Sequence, residues 1–219
     1  YHKPSMFMLE NVPGILTIDK GRTIQTIMGA LDELGYDVQY EILDAADYGV
    51  PQRRKRVYFV GFLKELEVDF KYPEPTVTEH TPISAILDDP DVEGYGISEH
   101  LQKSYLFKKD DGRPQVVDHN SDELAKTLVS TYHKIQRLTG TFVKGGETGL
   151  RLLTKNEIKA LQGFPKNFEL PVSRTQAYRQ LGNAVAVPVV KEIAENMKQA
   201  LWRSEKWQKS KEIMKSHKS

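Results

Sequence analysis

The sequence has 219 residues, of which 39% are hydrophobic and 28% are charged, which fits one large or two small globular domains and excludes wholesale disorder. Its 31 basic and 30 acidic residues give a formal net charge of +1, which neither demands nor forbids a nucleic-acid partner. No apolar run approaches the roughly 20 residues of a membrane-spanning helix, and no basic-then-apolar signal stretch opens the sequence.

The sequence contains no cysteine. This chain therefore supplies no disulfide, no cysteine-ligated zinc and no cysteine nucleophile, and we predict no metal site. It starts with Tyr1 instead of methionine, so we expect it to be a portion of something longer.

The first part of the chain predicts strands around a helix. Short apolar runs predict strands at 6–9, 38–43 and 57–62. Between the first two, Thr23 is the predicted N-cap of a helix and Gly35 its stop. Its apolar face is spaced at i, i+3, i+4 and i+7, and comprises Ile24, Ile27, Met28, Leu31 and Leu34. This order predicts an α/β fold with a mostly parallel sheet whose strands are buried on both faces.

From 64 to 150, prolines and charges interrupt the pattern, and only short elements fit, around 83–87 and as a strand at 126–130. We predict a separate irregular module with its own small core, inserted between residues 1–63 and 151–219 of one α/β domain.

Helical order returns after this insert. Thr154 and Glu157 have the spacing of a capping box, and Gly163 ends the helix that follows. A last amphipathic helix is predicted from about Val187, followed beyond Trp202 by a polar, basic tail.

Four stretches carry residues suited to chemistry. The first is Glu10-Asn11-Val12, at the carboxyl end of the first strand, where open α/β sheets place their ligand sites. A carboxylate there can accept a hydrogen bond from a ring N–H or, when protonated, donate one to a ring nitrogen. The alternative is an acid satisfied by a neighbouring arginine or helix.

The second stretch is Gln52-Arg53-Arg54-Lys55-Arg56, directly before a strand. In an extended chain Arg54 and Arg56 share one side, and Arg53 and Lys55 the other. One pair can then face a pocket or a phosphate while the other faces solvent. A solvated basic loop is the alternative.

The remaining two stretches are weaker by themselves. RLLTKNEIKALQGFP, at 151–165, predicts a capped helix and a tight turn, which is structural by its chemistry alone. QLGNAVAVP, at 180–188, places Gly-Asn before a helix, where unusual backbone angles and free backbone donors can serve a polar ligand. An ordinary turn is the alternative.

Together and in this order, the four stretches resemble the C-terminal part of the cytosine-5 DNA methyltransferases. LENVPG is similar to the family's Glu-Asn-Val motif, and DYGVPQRRKRVYFVG to its Gln-x-Arg-x-Arg motif. RLLTKNEIKALQGFP is similar to its Arg-x-Leu-Thr-x-x-Glu and Gln-Gly-Phe-Pro motif, and AYRQLGNAVAVPV to its closing Gly-Asn-(Ala/Ser)-Val motif. The resemblance implies part of a Rossmann-like methyltransferase sheet with an inserted target recognition domain at 64–150.

The resemblance also implies roles. In such enzymes a cysteine attacks carbon 6 of a flipped-out cytosine, and carbon 5 takes a methyl group from S-adenosylmethionine. Glu10 matches the acid beside ring N3, Arg56 the contact to the base oxygen, and Arg54 a residue that orients the site or binds phosphate. The closing motif, matched by Asn183, Ala184 and Val185, packs beside the methyl donor.

In the family, the insert reads double-stranded DNA. The end of this insert is rich in base-reading and small residues, and Arg137 is the leading base contact. The full set of expected DNA contacts is Arg53, Ser130, His133, Lys134, Gln136, Arg137, Thr139 and Gly140.

Two family motifs, Phe-x-Gly-x-Gly for the donor and Pro-Cys for the nucleophile, are absent from these 219 residues. We therefore expect an N-terminal catalytic half, either as a fragment of the same protein or as a separate subunit. By analogy we expect a bacterial, cytoplasmic restriction-modification enzyme. A non-catalytic DNA-binding module and an RNA cytosine-5 methyltransferase relative are the alternatives.

Overall fold

A computed structural model describes residues 2–209 and shows a mixed α/β chain. The strands are β1 (Met6–Asn11), β2 (Tyr36–Asp44), β3 (Lys55–Leu63), β4 (Gln115–Val117), β5 (Thr141–Lys144) and β6 (Leu150–Arg151). The helices are α1 (Arg22–Glu33), α2 (Glu99–Leu101), α3 (Lys155–Leu161), α4 (Arg174–Asn183) and α5 (Val187–Arg203). Short 3-10 turns occupy several of the connections.

The described residues form two compact units. The first contains 2–43, 55–74 and 190–209, and the second contains 44–54 and 75–189. These bounds differ from the predicted ones at 63 and 150. Residues 151–189 fall in the same unit as the insert because their apolar side chains pack into its core.

In the first unit, a three-stranded sheet has the order β1-β3-β2. β1 is antiparallel to β3, with Met6 opposite Phe62 and Asn11 opposite Val57. The prediction of a mostly parallel sheet is therefore wrong for these strands. β3 follows its neighbour β2 through the short link 45–54, which lacks the long crossover that a parallel neighbour requires.

Burial in this sheet is uneven. β3 is buried on both faces, as predicted, with every residue from Val57 to Phe62 inaccessible. The two outer strands are not, since most of their residues are half-buried or exposed. β1 therefore leaves one strand edge without a partner within the described chain.

Helix α1 confirms its prediction in position but not in detail. Its N-cap is Gly21, with a left-handed φ of 85°, and not Thr23. Ile24 packs in a cluster with Val57 and Phe59, whereas Leu34 at the end of the predicted apolar face is 56% exposed. Much of the apolar stripe on α1 is therefore not covered by described residues of this unit.

The second unit has its own sheet, in which β4 runs parallel to β5 and β5 antiparallel to β6. Its core draws on the insert through Ile83, Leu106 and Phe142, and equally on α3 and α4 through Ile158 and Tyr178. The prediction that the insert has a core of its own is wrong, because the helices that follow the insert complete that core.

Two local predictions for the insert have different outcomes. A 3-10 turn at Ile83–Ile86 occupies the element expected near 83–87, and Ile83 is fully buried. No strand forms at 126–130, where the chain makes one isolated bridge from Ala125 to Gln52.

The closing helices agree with the sequence. The predicted capping box is present, since Thr154 accepts from the Glu157 amide and the Glu157 side chain accepts from the Thr154 amide. In α5, Ile193, Met197 and Leu201 are buried along one stripe, as predicted. The predicted basic tail is described only to 209, where 205–209 is helical, and its remainder lies outside the described residues. Within 2–209, no helix has the length and apolar character to cross a membrane.

Candidate functional site

In the first unit, the antiparallel pairing of β1 and β3 brings together the predicted acid and the predicted base-contacting arginine. Arg56 Nε lies 3.0 Å from Glu10 Oε1, and the two side chains are 15% and 26% exposed. Arg56 also donates from Nη1 to the Lys55 carbonyl at 2.8 Å. Within 2–209, Arg56 Nη2 donates no hydrogen bond and Glu10 Oε2 accepts none, so both groups are available to a ligand.

In the second unit, Arg54 is buried, and both of its Nη groups bind backbone carbonyls of the protein. Its Nη1 donates to the Leu128 carbonyl at 2.9 Å, and its Nη2 donates to the carbonyls of Gly182 and Ala184 at 3.1 and 2.7 Å. The Arg54 amide donates to Asp44 Oδ1 at 2.9 Å. Of the two roles predicted for Arg54, these contacts favour orienting the site, because a buried guanidinium does not reach a DNA phosphate.

The neighbours of Arg54 alternate as an extended chain requires. The Arg53 side chain is 65% exposed and lies 3.9 Å from Asp44, and Lys55 is also exposed. The separation of these two cations from Arg54 and Arg56 confirms the alternation. Arg53 therefore remains available for a phosphate contact.

Helix α4 ends at Asn183, within the closing motif, and Ala184 continues in extended conformation. Asn183 is exposed, and Ala184 and Val185 are half-buried. The side chain of Asn183 makes no hydrogen bond within the described residues. Its amide can donate to a carboxylate and accept from an ammonium group, both of which S-adenosylmethionine carries. The segment is thus chemically suited to one side of that ligand.

Gly182 in this motif has ordinary helical angles, so the expected unusual backbone conformation is wrong. Its role is close approach: a Cβ at this position would lie 2.3 Å from the Ser130 nitrogen and 2.4 Å from the Val129 carbonyl carbon. The end of α4 therefore packs directly on the backbone of the predicted recognition segment.

The Gln-Gly-Phe-Pro turn supports the closing motif from another side. Gly163 has a φ of +72°, and a Cβ there would lie 2.4 Å from Pro188 Cδ. The Val187 amide donates to the Gln162 carbonyl at 2.8 Å. Only glycine satisfies both the left-handed angle and the close contact, so this turn fixes the segment that follows Val185.

Arg151 and Glu157 form an ion pair with no solvent exposure on either side chain. Arg151 Nη1 and Nη2 donate to the two Glu157 carboxylate oxygens at 2.9 and 2.8 Å. The same carboxylate accepts from the amides of Asp88 and Thr154, at 2.8 and 2.6 Å. The motif at 151–165 is therefore structural, as its chemistry indicates, and it ties α3 to the start of the insert.

The predicted DNA contacts at 130–140 lie around a turn that is fixed by hydrogen bonds of the buried Tyr132 side chain. A 3-10 turn covers Tyr132–Lys134, and the buried Tyr132 hydroxyl donates to the Thr141 carbonyl at 2.5 Å and accepts from the Leu153 amide at 3.1 Å. Burial raises the pKa of this phenol well above its ordinary value, so Tyr132 stays neutral. Among the predicted contacts, the exposed ones are Lys134 and Thr139, the half-buried ones Ser130, His133 and Gln136, and the buried ones Arg137 and Gly140.

Arg137, the leading predicted base contact, is engaged elsewhere. Its Nε donates to the Leu106 carbonyl at 2.8 Å, one Nη donates to the Lys109 carbonyl at 3.0 Å, and both Nη atoms bind the Asp111 carboxylate. The guanidinium lowers the pKa of Asp111 below its usual value. A base contact by Arg137 would have to break these four hydrogen bonds, which favours a structural role for it in holding the segment 130–140.

Gln136 and Gly140 also shape the segment. Gln136 Oε1 accepts from the hydroxyls of Thr131 and Thr139 at 3.2 and 3.0 Å. A Cβ on Gly140 would lie 2.4 Å from Phe142 Cζ. The solvent-facing side chains of this segment include Leu138, which is 58% exposed and absent from the predicted contacts.

Gln52 is the main residue that sequence reasoning missed. It is fully buried, its Nε2 donates to the Leu161 carbonyl, and its Oε1 accepts from the Leu128 amide at 3.0 Å. The motif Gln-x-Arg-x-Arg contained the signal, but a polar side chain before three arginines and a lysine gave no indication of burial.

Comparisons with known proteins identify the family of this chain. A family model described as C-5 cytosine-specific DNA methylase matches residues 1–199. Among curated relatives, the Type II methyltransferase M.MspI of Moraxella sp is 57% identical over 199 residues, covering 91% of this chain and 47% of the relative. M.BsuFI of Bacillus subtilis is 54% identical over 204 residues, covering 93% of this chain and 50% of that relative. The chain thus spans about half the length of these relatives.

Solved structures show the same fold. The Entamoeba histolytica methyltransferase EhMeth matches with a TM-score of 0.69 and 25% identity, covering 90% of this chain and 63% of that one. A Spodoptera frugiperda DNMT2 structure matches with a TM-score of 0.72 and 21% identity, covering 91% of this chain and 67% of that one. The predicted fold class, part of a Rossmann-like methyltransferase sheet, is confirmed. The matched motifs, the family model and the relatives together show that this chain belongs to the C-5 cytosine-specific DNA methylase family.

Proposed function

We propose that this chain forms part of a DNA cytosine-5 methyltransferase, which transfers a methyl group from S-adenosylmethionine to carbon 5 of a flipped-out cytosine in a specific duplex sequence. The observation that carries the proposal is the half-buried pair of Glu10 and Arg56, which lie in the family's Glu-Asn-Val and Gln-x-Arg-x-Arg motifs and are 3.0 Å apart.

The pair suits the hydrogen-bonding edge of cytosine. This edge presents an amino group, the ring nitrogen N3 and the oxygen O2, side by side. The Glu10 carboxylate can accept from the amino group or, once protonated, donate to N3, and Arg56 Nη2 can donate to O2. When a nucleophile adds to carbon 6, negative charge develops on N3 and O2, and both side chains are placed to stabilise it. Such contacts require the base to leave the duplex.

The closing motif supplies the donor-side residues of the proposal. S-adenosylmethionine, when bound, provides the methyl group. Asn183 would bind its polar end, while Ala184 and Val185 would line the site. Arg54 fixes this segment by binding the Ala184 carbonyl at 2.7 Å.

We further propose that an N-terminal catalytic half, carrying the Pro-Cys and Phe-x-Gly-x-Gly motifs, completes the enzyme. Two observations support it besides the absence of cysteine. β1 is an outer strand with one open edge, and apolar Leu9 on it is 46% exposed. Leu34, at the end of α1, is 56% exposed. Unpaired apolar edges favour aggregation unless another strand covers them.

The proposed substrate is duplex DNA read by the segment 130–140 and Arg53, and the proposed setting is a bacterial restriction-modification system acting on DNA in the cytoplasm. The relatives M.MspI and M.BsuFI, both named Type II methyltransferases, support this setting. An RNA substrate would show itself as methylation of folded tRNA in preference to duplex DNA.

The test is co-expression of this chain with a polypeptide that carries the two missing motifs, followed by methyl transfer to unmethylated plasmid DNA. In this complex, Glu10→Gln and Arg56→Lys should each lower the rate about 10²- to 10³-fold, because each removes an interaction with developing charge. Glu33→Gln and Arg22→Lys, at exposed positions of α1, are matched controls and should retain the wild-type rate.

Two outcomes would contradict the proposal. One is a folded wild-type complex that binds duplex DNA but transfers no methyl group, which supports the non-catalytic DNA-binding module instead. The other is unchanged methyl transfer in Glu10→Gln, which would show that the Glu10–Arg56 pair is not part of the active site.

A further inference from the structure

Residues 51–54 and 125–128 lie side by side and are joined along their backbones. The Ala125 amide donates to the Pro51 carbonyl at 2.9 Å, and the Arg53 amide donates to the Ala125 carbonyl at 3.0 Å. The Thr127 hydroxyl donates to the Arg53 carbonyl at 2.5 Å. The basic motif is thus hydrogen-bonded, residue by residue, to the segment that leads into 130–140.

Two buried side chains of the motif form hydrogen bonds with a single residue of that segment, Leu128. Gln52 Oε1 accepts from the Leu128 amide at 3.0 Å, and Arg54 Nη1 donates to the Leu128 carbonyl at 2.9 Å. Both backbone groups of Leu128 are therefore held, one from each side, by side chains that are 0% and 2% exposed. We call this arrangement the Leu128 clamp.

The clamp is anchored to α3 and to the closing motif. Gln52 Nε2 donates to the Leu161 carbonyl at the end of α3. Arg54 Nη2 donates to the carbonyls of Gly182 and Ala184. Because Gly182 also touches the backbone at 129–130, the start of the recognition segment is fixed on two sides.

We propose that Gln52 and Arg54 are positioning residues for DNA sequence recognition: through Leu128, they set the place of the segment 130–140 relative to the closing motif. This inference rests on the proposed function. The two arginines of the motif then have separate tasks, since Arg56 pairs with Glu10 and faces the substrate, whereas Arg54 never touches DNA.

The physical basis is the precision that base reading requires. A wrong base pair typically lowers binding about 5- to 150-fold, and this discrimination depends on side chains held within hydrogen-bonding distance of base edges. Releasing the Leu128 peptide would let the segment shift, so contacts to correct and incorrect bases would become more alike. Removing either clamp residue should therefore reduce discrimination, beyond any effect on the amount of folded protein.

The experiment uses the complex of this chain with the complementary polypeptide and a pool of unmethylated duplexes with randomised base pairs around a cytosine. Bisulfite sequencing gives the methylation rate at every sequence, and the ratio of the preferred site to its one-base neighbours measures discrimination. Gln52→Met and Arg54→Lys should lower this ratio about tenfold at one or more positions.

The control is Ser204→Ala. Ser204 is a buried polar residue of the first unit whose hydroxyl donates to the Leu66 carbonyl and accepts from the Trp207 amide, and it binds neither Leu128 nor the anchors of the clamp. A loss of folded protein lowers all rates together and leaves the ratio unchanged, so this variant should retain the wild-type ratio. Hydrogen exchange at the Leu128 amide gives a second measurement: it should accelerate in Gln52→Met and not in Ser204→Ala.

The outcomes separate the two claims. If the wild-type complex methylates a specific sequence and Gln52→Met and Arg54→Lys keep its discrimination ratio, the positioning role is overturned while the proposed function stands. If the wild-type complex methylates no cytosine, the proposed function fails, and the positioning role fails with it.

Discussion

Replacing Glu157 by glutamine should be among the most destabilising single changes in the second unit. The carboxylate is fully buried and accepts from both Nη atoms of Arg151 and from the amides of Asp88 and Thr154. A glutamine keeps one oxygen and turns an NH₂ group toward donors, so the Arg151 charge loses its partner. Breaking a buried pair in this way costs about 3–5 kcal/mol of unfolding free energy.

Differential scanning fluorimetry and urea unfolding of the purified chain would measure this loss. For a protein of this size, about 3–5 kcal/mol corresponds to a Tm lowered by roughly 6–20 °C. The control is Glu99→Gln, whose partner Lys103 lies one helical turn away with both side chains mostly exposed, 69% and 80%. That pair is worth at most about 0.5 kcal/mol.

The reasoning would be refuted if Glu157→Gln lowered the free energy of unfolding by less than about 1 kcal/mol, an effect close to that of the exposed control. A double replacement by Arg151→Met and Glu157→Leu should be less destabilised than Glu157→Gln alone, since no unpaired charge then stays buried.

Two further predictions concern packing and pH. Gly182→Ala should lower the free energy of unfolding by about 1–3 kcal/mol, because the added Cβ would lie 2.3 Å from the Ser130 nitrogen. Gly29→Ala, at an open position of helix α1, should instead raise it by about 0.5–1 kcal/mol. Urea unfolding measures both variants, and equal effects would contradict the close-packing argument. Arg137 holds the pKa of Asp111 below its ordinary value of 3.8, so the stability from this pair is complete above pH 3.8 and is lost as pH falls through the lowered pKa. Asp111→Asn should remove this part of the acid sensitivity in pH-dependent thermal melts, and an unchanged pH profile would argue against it.

Local chemistry was predictable where it depends on near neighbours in sequence. The capping box of Thr154 and Glu157, the stop at Gly35 and the alternation around Arg54 follow from spacings of a few residues, and all three are present. The juxtaposition of Glu10 and Arg56 was reached through the family resemblance, since residues 46 positions apart carry no local signal of contact.

Long-range packing accounts for two of the differences between prediction and structure. Arg137 looked like a base reader because its partners at Leu106, Lys109 and Asp111 lie far back in the sequence. The expected strand at 126–130 has strand-like residues, but side chains of Gln52 and Arg54 take the backbone groups that a strand would use.

The Leu128 clamp holds its target by the peptide groups alone. Any residue other than proline offers the same amide and carbonyl at that position, so the anchor tolerates change in the side chains beyond it. Under the proposed function, a segment held in this manner can diverge in sequence, and hence in the DNA sequence it recognises, while its attachment to Gln52 and Arg54 is kept. Grafts that begin after Leu128 and retain Gln52 and Arg54 are accordingly a rational starting point for exchanging specificities between members of the family.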